Sequence, residues 1–261
     1  MNTPKGYVDP TYLQSTGNFI DNFKKRTYEC MQLRAGDKVL DVGCGPGVDT
    51  IALSQIVGPT GQVVGVDYDE AMVATSEKYA VKEGVSAWVM HKLADATSLP
   101  FDAGYFDSCR SERLFQHLPN PAQALQEMTR VTKIGGTVVV LDTDWGTLSR
   151  DTTEVDIERR LSRCLAEHML TNGYSGRQLY RLFKEQGLRN VSFEVLPFVV
   201  TSYAFLRQIL TADRLEAEAL AQNFVTEDEL SRLQKDGEWA DGKGVFFSSG
   251  CMMLVSGQKT G

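Results

Sequence analysis

The sequence has no long hydrophobic run. No stretch approaches the roughly 18 consecutive apolar residues that a membrane-spanning helix needs. The first residues, Met1 to Lys5, carry no apolar segment. We therefore expect neither a membrane span nor a secretory signal, and a cytoplasmic location.

Cysteine is also scarce. The 5 cysteines are odd in number and form no C-x-x-C pair; they are Cys30, Cys44, Cys109, Cys164 and Cys251. Such scattered thiols are typical of a reducing compartment, so we expect neither a disulfide framework nor a zinc site.

Basic residues are outnumbered. Lysine and arginine total 27 against 34 aspartates and glutamates, which gives a net charge of −7. A chain of this charge has no overall field to attract a phosphate backbone, so nucleic acid is not expected as a partner. The 42% of apolar and 23% of charged residues are ordinary for a globular protein, and 261 residues suit one large α/β domain.

What the sequence does contain is an alternation of strand and helix patterns. Short apolar runs predict strands at 38–42, 62–66, 86–92, 105–109 and 137–141. Helical periodicity falls between them, at 48–57, 70–83 and 121–132. Because helical crossovers join parallel strands, this rhythm predicts an α/β fold with a doubly wound, mostly parallel sheet and helices on both faces.

The rhythm changes on either side of this region. Apolar positions in 1–34 predict one or two helices, in which Tyr7 and Tyr12 could form part of a flap. After residue 145 the patterns predict helices at 153–170 and 175–185, a strand at 191–195, a mostly helical stretch at 203–238 and a last strand at 245–256. A long insertion between the last two strands is a natural place for a lid.

Three glycines follow the first predicted strand, in the segment Asp41-Val-Gly-Cys-Gly-Pro-Gly47. At Gly43, Gly45 and Gly47 the backbone can turn sharply and approach a ligand, because no Cβ is in the way. The N–H groups at the start of the next helix favour an anionic group. The segment therefore predicts a ligand-binding loop.

Two aspartates follow later strands. Asp67 ends the second strand, about twenty residues past the loop, where a carboxylate can accept both hydroxyls of a ribose. Asp95 lies just beyond the third strand, where it can accept an adenine amino proton. Structural roles are the alternative, since Asp41 could cap the turn and Asp67 the next helix.

A dinucleotide site would share the loop and the first of these aspartates. It would normally read G-x-G-x-x-G, whereas the position three after Gly45 is Val48. A dinucleotide-dependent oxidoreductase using NAD stays an alternative. No G-x-x-x-x-G-K-[ST] segment occurs, which excludes a P-loop.

Together these segments resemble the class I S-adenosylmethionine-dependent methyltransferases. The resemblance rests on Asp41 to Gly47, Val64-Gly-Val-Asp-Tyr68, Asp95-Ala96 with Leu99-Pro-Phe101, Phe106-Asp-Ser-Cys, His117-Leu-Pro-Asn-Pro121 and Gly135-Gly-Thr-Val-Val-Val. It covers residues 35–145 and looks most like the small-molecule branch of ubiquinone and menaquinone biosynthesis. It implies a Rossmann-like sheet of seven strands whose last strand is antiparallel and lies next to the fifth.

The resemblance also implies one domain, with an N-terminal helical flap (1–34), a cofactor-binding core (35–145) and a substrate-pocket or lid part (146–261). The expected cofactor is S-adenosylmethionine, with S-adenosylhomocysteine as its product. The implied contacts are Gly43, Cys44, Gly45, Arg110 and Ser111 for the methionine part, Asp67 for the ribose, and Tyr68, Met72, Asp95 and the Ala96 N–H for the adenine, with Asp41 and Gly47 completing the loop.

A general base is needed only if the methyl acceptor must lose a proton. His117 is the leading candidate, because it follows the fourth strand and an imidazole with a pKa of about 6.5 accepts a proton at neutral pH. Local hydrogen bonding is its alternative role. Asp144, beside Asp142 and Trp145 at the end of the fifth strand, could orient an acceptor or act as base. We expect no metal.

The predicted function is therefore in-line methyl transfer to an oxygen, nitrogen or carbon atom of a small, largely apolar or aromatic metabolite. The apolar acceptor is suggested by Phe198, Tyr203, Phe205, Leu206, Phe224, Phe246 and Phe247, which could equally be core. A nucleic-acid methyltransferase is a further alternative, although Asp107-Ser-Cys-Arg110 stands where enzymes acting on base amines have [DN]-P-P-[FY]. A homodimer is left open.

Overall fold

A computed structural model describes residues 20–261, so the predicted flap positions Tyr7 and Tyr12 lie outside the described residues. The strands are β1 (Lys38–Val42), β2 (Gln62–Asp67), β3 (Val89–Leu93), β4 (Phe106–Glu112), β5 (Thr132–Arg150), β6 (Arg189–Val200) and β7 (Ser248–Gln258). The helices are α1 (Asp21–Met31), α2 (Val48–Val57), α3 (Glu70–Lys82), α4 (Pro121–Val131), α5 (Val155–Cys164), α6 (Ser175–Glu185), α7 (Tyr203–Ile209), α8 (Ala212–Ala221) and α9 (Glu227–Gly242).

The strands form one sheet in the order β3-β2-β1-β4-β5-β7-β6. The pairs from β3 to β5 are parallel, and β7 runs antiparallel to both of its neighbours, β5 and β6. The predicted doubly wound, seven-stranded sheet with an antiparallel last strand is confirmed. Chain order reverses between β1 and β4, and open α/β sheets bind ligands at the carboxyl ends of the strands beside such a reversal.

Side chains of the central strands alternate between two apolar layers. Val39 of β1 packs in one layer and Leu40 and Val42 in the other, and β5 divides its valines in the same way. Both faces of the sheet are therefore covered by helices, as central parallel strands require. Burying each such side chain stabilises the fold by about 1.5–3 kcal/mol.

Some predicted boundaries differ from the structure. The fifth strand was expected to end at residue 141 but continues to Arg150, because β7 pairs with it as far as Arg150↔Ser248. The stretch 203–238 is divided among three helices, and the last begins with a capping box in which Thr226 and Glu229 bond each other's backbone. Among residues 20–261, no helix is both long and apolar enough to cross a membrane.

Candidate active site

A cavity of about 480 Å³ opens where β1, β2, β3 and β4 end. The sequence-predicted residues on its walls are Asp41, Gly43, Cys44, Gly45, Asp67, Tyr68, Met72, Asp95, Ala96 and His117. Gly47, Arg110, Ser111 and Asp144 do not line it. Apart from these four residues, the predicted site thus forms one cavity.

The glycine loop is held against β2. The N–H groups of Gly43 and Cys44 both donate to the Val66 carbonyl, at 2.8 and 3.0 Å. Gly43 has a φ of 75°, and a Cβ there would come within 3.1 Å of the Leu114 side chain. Gly47, at φ 85°, is the N-cap of α2, and its missing Cβ makes room for Ser76 rather than for the cavity.

Asp67 supports this loop from the end of β2. Its Oδ2 accepts the Gly45 N–H at 2.9 Å, and its Oδ1 accepts the Asp69 N–H at 3.0 Å. Burial raises the pKa of Asp67, and these hydrogen bonds oppose the shift. The N-cap of α3 is Asp69, whose side chain accepts the Ala71 N–H. Capping therefore does not account for Asp67, and its carboxylate lies on the cavity wall.

Beyond the ends of β2 and β3, the cavity wall carries the exposed ring of Tyr68 and the carboxylate of Asp95. Tyr68 is 58% exposed, whereas Met72 on α3 is buried. The Asp95 carboxylate accepts the Thr97 N–H at 2.8 Å and the Thr97 hydroxyl at 2.7 Å. These bonds fix the turn after β3, so Asp95 reaches the cavity with a defined orientation.

Arg110 lies beneath the cavity and not on its wall, since it is fully buried in the middle of β4. Its Nη2 contacts Glu112 Oε2 at 2.9 Å, and its Nη1 lies 3.4 Å from Asp41 Oδ1 and 3.3 Å from Asp49 Oδ1. Lys24 reaches the same carboxylates from α1, 2.8 Å from Asp49 and 3.6 Å from Glu112. We call Lys24, Asp41, Asp49, Arg110 and Glu112 the buried charge cluster.

The cluster shifts the pKa values of its members in opposite directions. Burial raises the pKa of Asp41 to about 7, with Asp49 and Glu112 adding to the effect and Arg110 opposing it. Burial acts in the same sense on Asp49, but Arg110 and Lys24 outweigh it and hold the pKa of Asp49 below its usual range. Asp49 is thus a fixed negative charge in the first turn of α2.

Among residues 20–261, more carboxylates than cations line the cavity. The carboxylates are Asp41, Asp49, Asp67, Asp69, Asp95 and Glu112, and the cations are Lys24, Arg113 and Arg214. The N–H groups of Gly43, Cys44 and Gly45 are already bonded within the protein. The anionic group expected at the glycine loop therefore finds neither free loop N–H groups nor a positive field here, and the walls favour a ligand that carries positive charge.

His117 lies on the cavity wall, in the single 3₁₀ turn Phe115–His117. Burial, with a contribution from Arg113, lowers the pKa of the ring to about 4. The imidazole is therefore neutral at pH 7 and a weak proton acceptor, which does not favour the predicted role as general base.

Asp144 is placed away from the cavity by the alternation of β5. Thr143 and Trp145 line the wall, so the side chain between them points to the opposite face. There Asp144 is buried and lies 2.6 Å from Arg177 Nε. Asp142, on the same face, accepts the Gln116 N–H at 3.1 Å, and burial raises its pKa to about 7. The predicted role of Asp144 at the acceptor is not supported by this position.

The chain after β5 supplies the other half of the described wall, which is mostly apolar. Its apolar residues are Leu165, Met169, Leu170, Phe198, Ile209, Leu210 and Met252, and its polar residues are Thr211 and Arg214. Of the seven residues expected to hold an apolar acceptor, Phe198 alone lines the described cavity, and Tyr203, Leu206 and Phe246 are buried in the core. Phe198 can occupy its position because residue 250 of β7 is a glycine. A Cβ at Gly250 would lie 2.5 Å from the Phe198 ring.

Sequence reasoning gave no role to Lys24 or Asp49, which both line the wall. One sequence signal could have predicted the buried charge cluster. Asp41 and Arg110 occupy central strands that must be adjacent in such a sheet, and in the structure they are partners in the register. A buried arginine requires buried carboxylates. No local sequence pattern predicts that Lys24 lines the cavity, because Lys24 reaches it from helix α1.

The chain is similar to known proteins over most of its length. A family model described as "Methyltransferase domain" matches residues 33–187. An uncharacterised 37.1 kDa protein in transposon Tn4556 of Streptomyces fradiae is 32% identical over 249 residues, which cover 94% of this chain and 69% of that protein. Demethylmenaquinone methyltransferase of Staphylococcus aureus is 44% identical over 127 residues, which cover 48% of this chain and 51% of the relative. The chain thus matches only about half the length of that enzyme.

Solved structures share the fold at low sequence identity. The YcgJ protein of Bacillus subtilis superposes with a TM-score of 0.67 at 21% identity, covering 92% of this chain and 99% of that one. Geranyl diphosphate C-methyltransferase of Streptomyces coelicolor, solved with Mg²⁺, geranyl diphosphate and S-adenosylhomocysteine, gives 0.58 at 17% identity, with coverage of 95% and 82%.

Proposed function

Because the chain belongs to the methyltransferase-domain family, we propose that it transfers a methyl group from S-adenosylmethionine to a small, largely apolar metabolite. The observation that carries this proposal is a cavity in which carboxylates at the strand ends adjoin an apolar half. One half suits a nucleoside with positive charge, and the other suits an apolar acceptor.

The residues present fit S-adenosylmethionine better than a dinucleotide. The cofactor has a sulfonium and an ammonium group against one carboxylate, so the acidic walls attract it. A dinucleotide would bring two phosphates to the same walls, where the N–H groups of Gly43, Cys44 and Gly45 are already occupied. The oxidoreductase alternative is therefore disfavoured.

Each part of the cofactor has proposed partners on the wall. Asp67 would accept the ribose hydroxyls, and Asp95 with the Ala96 N–H would bind the adenine edge. Tyr68 and Met72 would flank the adenine ring. The open space above Gly43 and Gly45, with Asp41, would accommodate the methionine part. Arg110 and Ser111 would contribute only from behind the wall, since neither reaches it.

The protein contributes mainly positioning and exclusion of water. When bound, the cofactor supplies a methyl group activated by its sulfonium, and the products are S-adenosylhomocysteine, the methylated acceptor and any proton the acceptor carried. Leu165, Met169 and Phe198 would hold the acceptor in an apolar environment beside the methyl group. Such positioning lowers the barrier by about 7–11 kcal/mol when the reacting atoms are well aligned.

The test is calorimetric titration with S-adenosylhomocysteine and, separately, with NADH. The full chain should bind only the first. Asp67→Ala removes a carboxylate proposed to accept two hydroxyls, and charge-assisted bonds contribute about 1.5–3 kcal/mol each, so affinity should fall about a hundredfold or more. Asp102→Ala, an exposed aspartate away from the cavity, is the matched control. Binding of NADH, or an unchanged affinity in Asp67→Ala, would contradict the proposal.

The acceptor proposed is a small molecule and not a nucleic acid. The apolar half is a pocket lined by Leu165, Met169 and Ile209, and the net charge of −7 opposes a phosphate backbone. We also propose a reducing, cytoplasmic location, which is supported by 5 free thiols. A homodimer stays a prediction.

A further inference from the structure

Arg214 carries a positive charge in the mostly apolar half of the cavity. It lies in the first turn of α8 and lines the wall together with Thr211 and apolar residues such as Ile209 and Leu210. The carboxylates of the described wall all come from residues 41–112, in the other half. Among residues 20–261, Arg214 is thus the one charged residue in the apolar half.

The other two cations on the described wall are already paired with carboxylates. Lys24 Nζ lies 2.8 Å from Asp49 Oδ2 and 3.6 Å from Glu112 Oε2. Arg113 Nε lies 3.1 Å from Glu112 Oε1. The charges of Lys24 and Arg113 are therefore compensated within the protein, and neither is available to an anionic ligand in the same way as Arg214.

Two carboxylates close to Arg214 in sequence pair with a different arginine. Asp213 Oδ1 lies 2.6 Å from Arg207 Nη2, and Glu216 also pairs with Arg207. Arg207 does not line the cavity. The acidic residues in the first turns of α8 thus compensate the arginine outside the cavity and leave the arginine on its wall unpaired.

Glu218 is the remaining carboxylate on α8 and stands four positions after Arg214, a spacing at which helical side chains can meet. Its Oε1 instead accepts Gln222 Nε2 at 3.1 Å and lies 4.0 Å from His168 Nδ1. Within the described part of the chain, the Arg214 side chain accordingly makes no hydrogen bond and no ion pair.

The charged end of Arg214 is accessible at the open edge of the cavity. Arg214 is exposed, and with Thr211 it also lines a smaller cavity beside the main one. A long cationic side chain in such a position packs its methylene groups against apolar neighbours and keeps its charged end in water. A ligand in the apolar half can therefore reach the guanidinium.

The opposite charges of the two halves would orient a charged acceptor. Carboxylates such as Asp67 and Asp95 repel an anionic group from the cofactor half, whereas Arg214 attracts it to the other side. An apolar molecule with an anionic group at one end would thus bind with that end at Arg214 and its apolar part between Arg214 and the cofactor.

We propose that Arg214 selects the methyl acceptor by pairing with an anionic group, so that the substrate is an apolar metabolite that carries a carboxylate or a phosphate. The planar guanidinium matches both oxyanions, because it can donate two parallel N–H···O bonds. The apolar part of the acceptor lies against Leu165 and Met169. This inference rests on the proposed function, because it needs an acceptor beside the cofactor.

The test uses three flexible ligands that share an octyl chain. With S-adenosylhomocysteine present, calorimetry at neutral pH compares octanoate and octyl phosphate with 1-octanol, which has no charge. A charge-assisted pair at an exposed arginine should make the preferred anion bind about three- to tenfold tighter than the alcohol. The anion with the larger gain identifies carboxylate or phosphate as the group that the site prefers.

Variants of Arg214 show whether this residue causes the preference. Arg214→Gln removes the charge and should abolish the preference while 1-octanol binds as before. Arg214→Lys keeps the charge without the planar group and should keep part of the preference. Arg181→Gln, the same exchange at an exposed arginine outside the cavity, is the matched control and should change nothing.

Salt provides a readout that a purely structural role of Arg214 would not affect. Between about 0.1 M and about 1 M salt the Debye length falls from about 10 Å to about 3 Å, so the preference for the anion should weaken. Equal affinity for the alcohol and both anions, no binding of either anion, or a preference that persists in Arg214→Gln overturns the proposal.

Failure of this proposal is distinguishable from failure of the proposed function. Binding of S-adenosylhomocysteine is measured on every variant and reports the cofactor site and correct folding. If the wild type binds it but prefers neither anion, the role of Arg214 alone is wrong. If the wild type does not bind it, the proposed function is wrong, and the role of Arg214 at the acceptor falls with it.

Discussion

Replacing Arg110 with methionine should cost the protein much of its stability. The guanidinium is fully buried and lies between Asp41, Asp49 and Glu112 at 2.9–3.4 Å. Methionine fills similar space but leaves these carboxylates with fewer compensating cations. Breaking a buried ion pair by removing one partner costs about 3–5 kcal/mol, against a total stability of about 5–15 kcal/mol for a typical domain.

The loss of stability in Arg110→Met should depend on pH. Arg110 lowers the pKa of Asp41, which burial raises to about 7, so its removal makes Asp41 take up a proton more readily. A protonated Asp41 relieves the repulsion among the carboxylates. The loss of unfolding free energy in Arg110→Met should therefore be largest near pH 8 and smaller near pH 6.

Urea denaturation at the two pH values measures this loss. Arg181→Met is the matched control, because its surface ion pair with Glu185 on α6 contributes at most about 0.5 kcal/mol. The double variant Arg110→Met with Asp41→Asn should recover part of the loss, since one carboxylate is removed along with the cation. A loss below about 1 kcal/mol at pH 8, or one no larger than that of Arg181→Met, would refute the reasoning about the cluster.

Two further predictions concern single wall residues. Folded Asp41 keeps its proton up to about pH 7, whereas an ordinary aspartate releases it near 3.8, so stability from this group is lost as pH rises between these values. The urea midpoint of Asp41→Asn relative to wild type should therefore rise from about pH 4 to pH 7 and then level off; a constant difference would contradict the raised pKa. Met169→Trp should fill the apolar half, abolishing methyl transfer to apolar acceptors while leaving affinity for S-adenosylhomocysteine unchanged; equal loss of both would show that the two halves are not separate.

The cofactor half of the cavity was largely predictable from sequence. Strands joined by helical crossovers are parallel, so their carboxyl ends meet at one edge. Glycines after β1 and aspartates after β2 and β3 therefore converge whatever the rest of the chain does. The expected positions of Gly43, Asp67 and Asp95 on one cavity wall agree with the structure for this reason.

Positions set by side-chain direction or by distant segments were not predictable in the same way. Asp144 and Trp145 are neighbours in sequence, yet the alternation of β5 places only Trp145 on the wall, and the predicted end of that strand was too early to apply it. The Gln116 side chain that contacts the His117 ring is bonded to Trp145, 29 positions further along the chain. Such contacts follow from the packed structure and leave no local pattern.

The segment between β6 and β7 has consequences for how the protein could change over evolutionary time. Val200 and Ser248 face each other across the two strands, so the segment 201–247 leaves and re-enters the sheet at adjacent points. An insertion with such closely spaced ends can vary in length and sequence at little cost to the sheet. Ile209, Leu210, Thr211 and Arg214 all come from it, whereas the glycine loop, Asp67 and Asp95 do not. Exchanging this module could therefore redirect the chemistry to a new metabolite and leave the nucleoside-binding half intact.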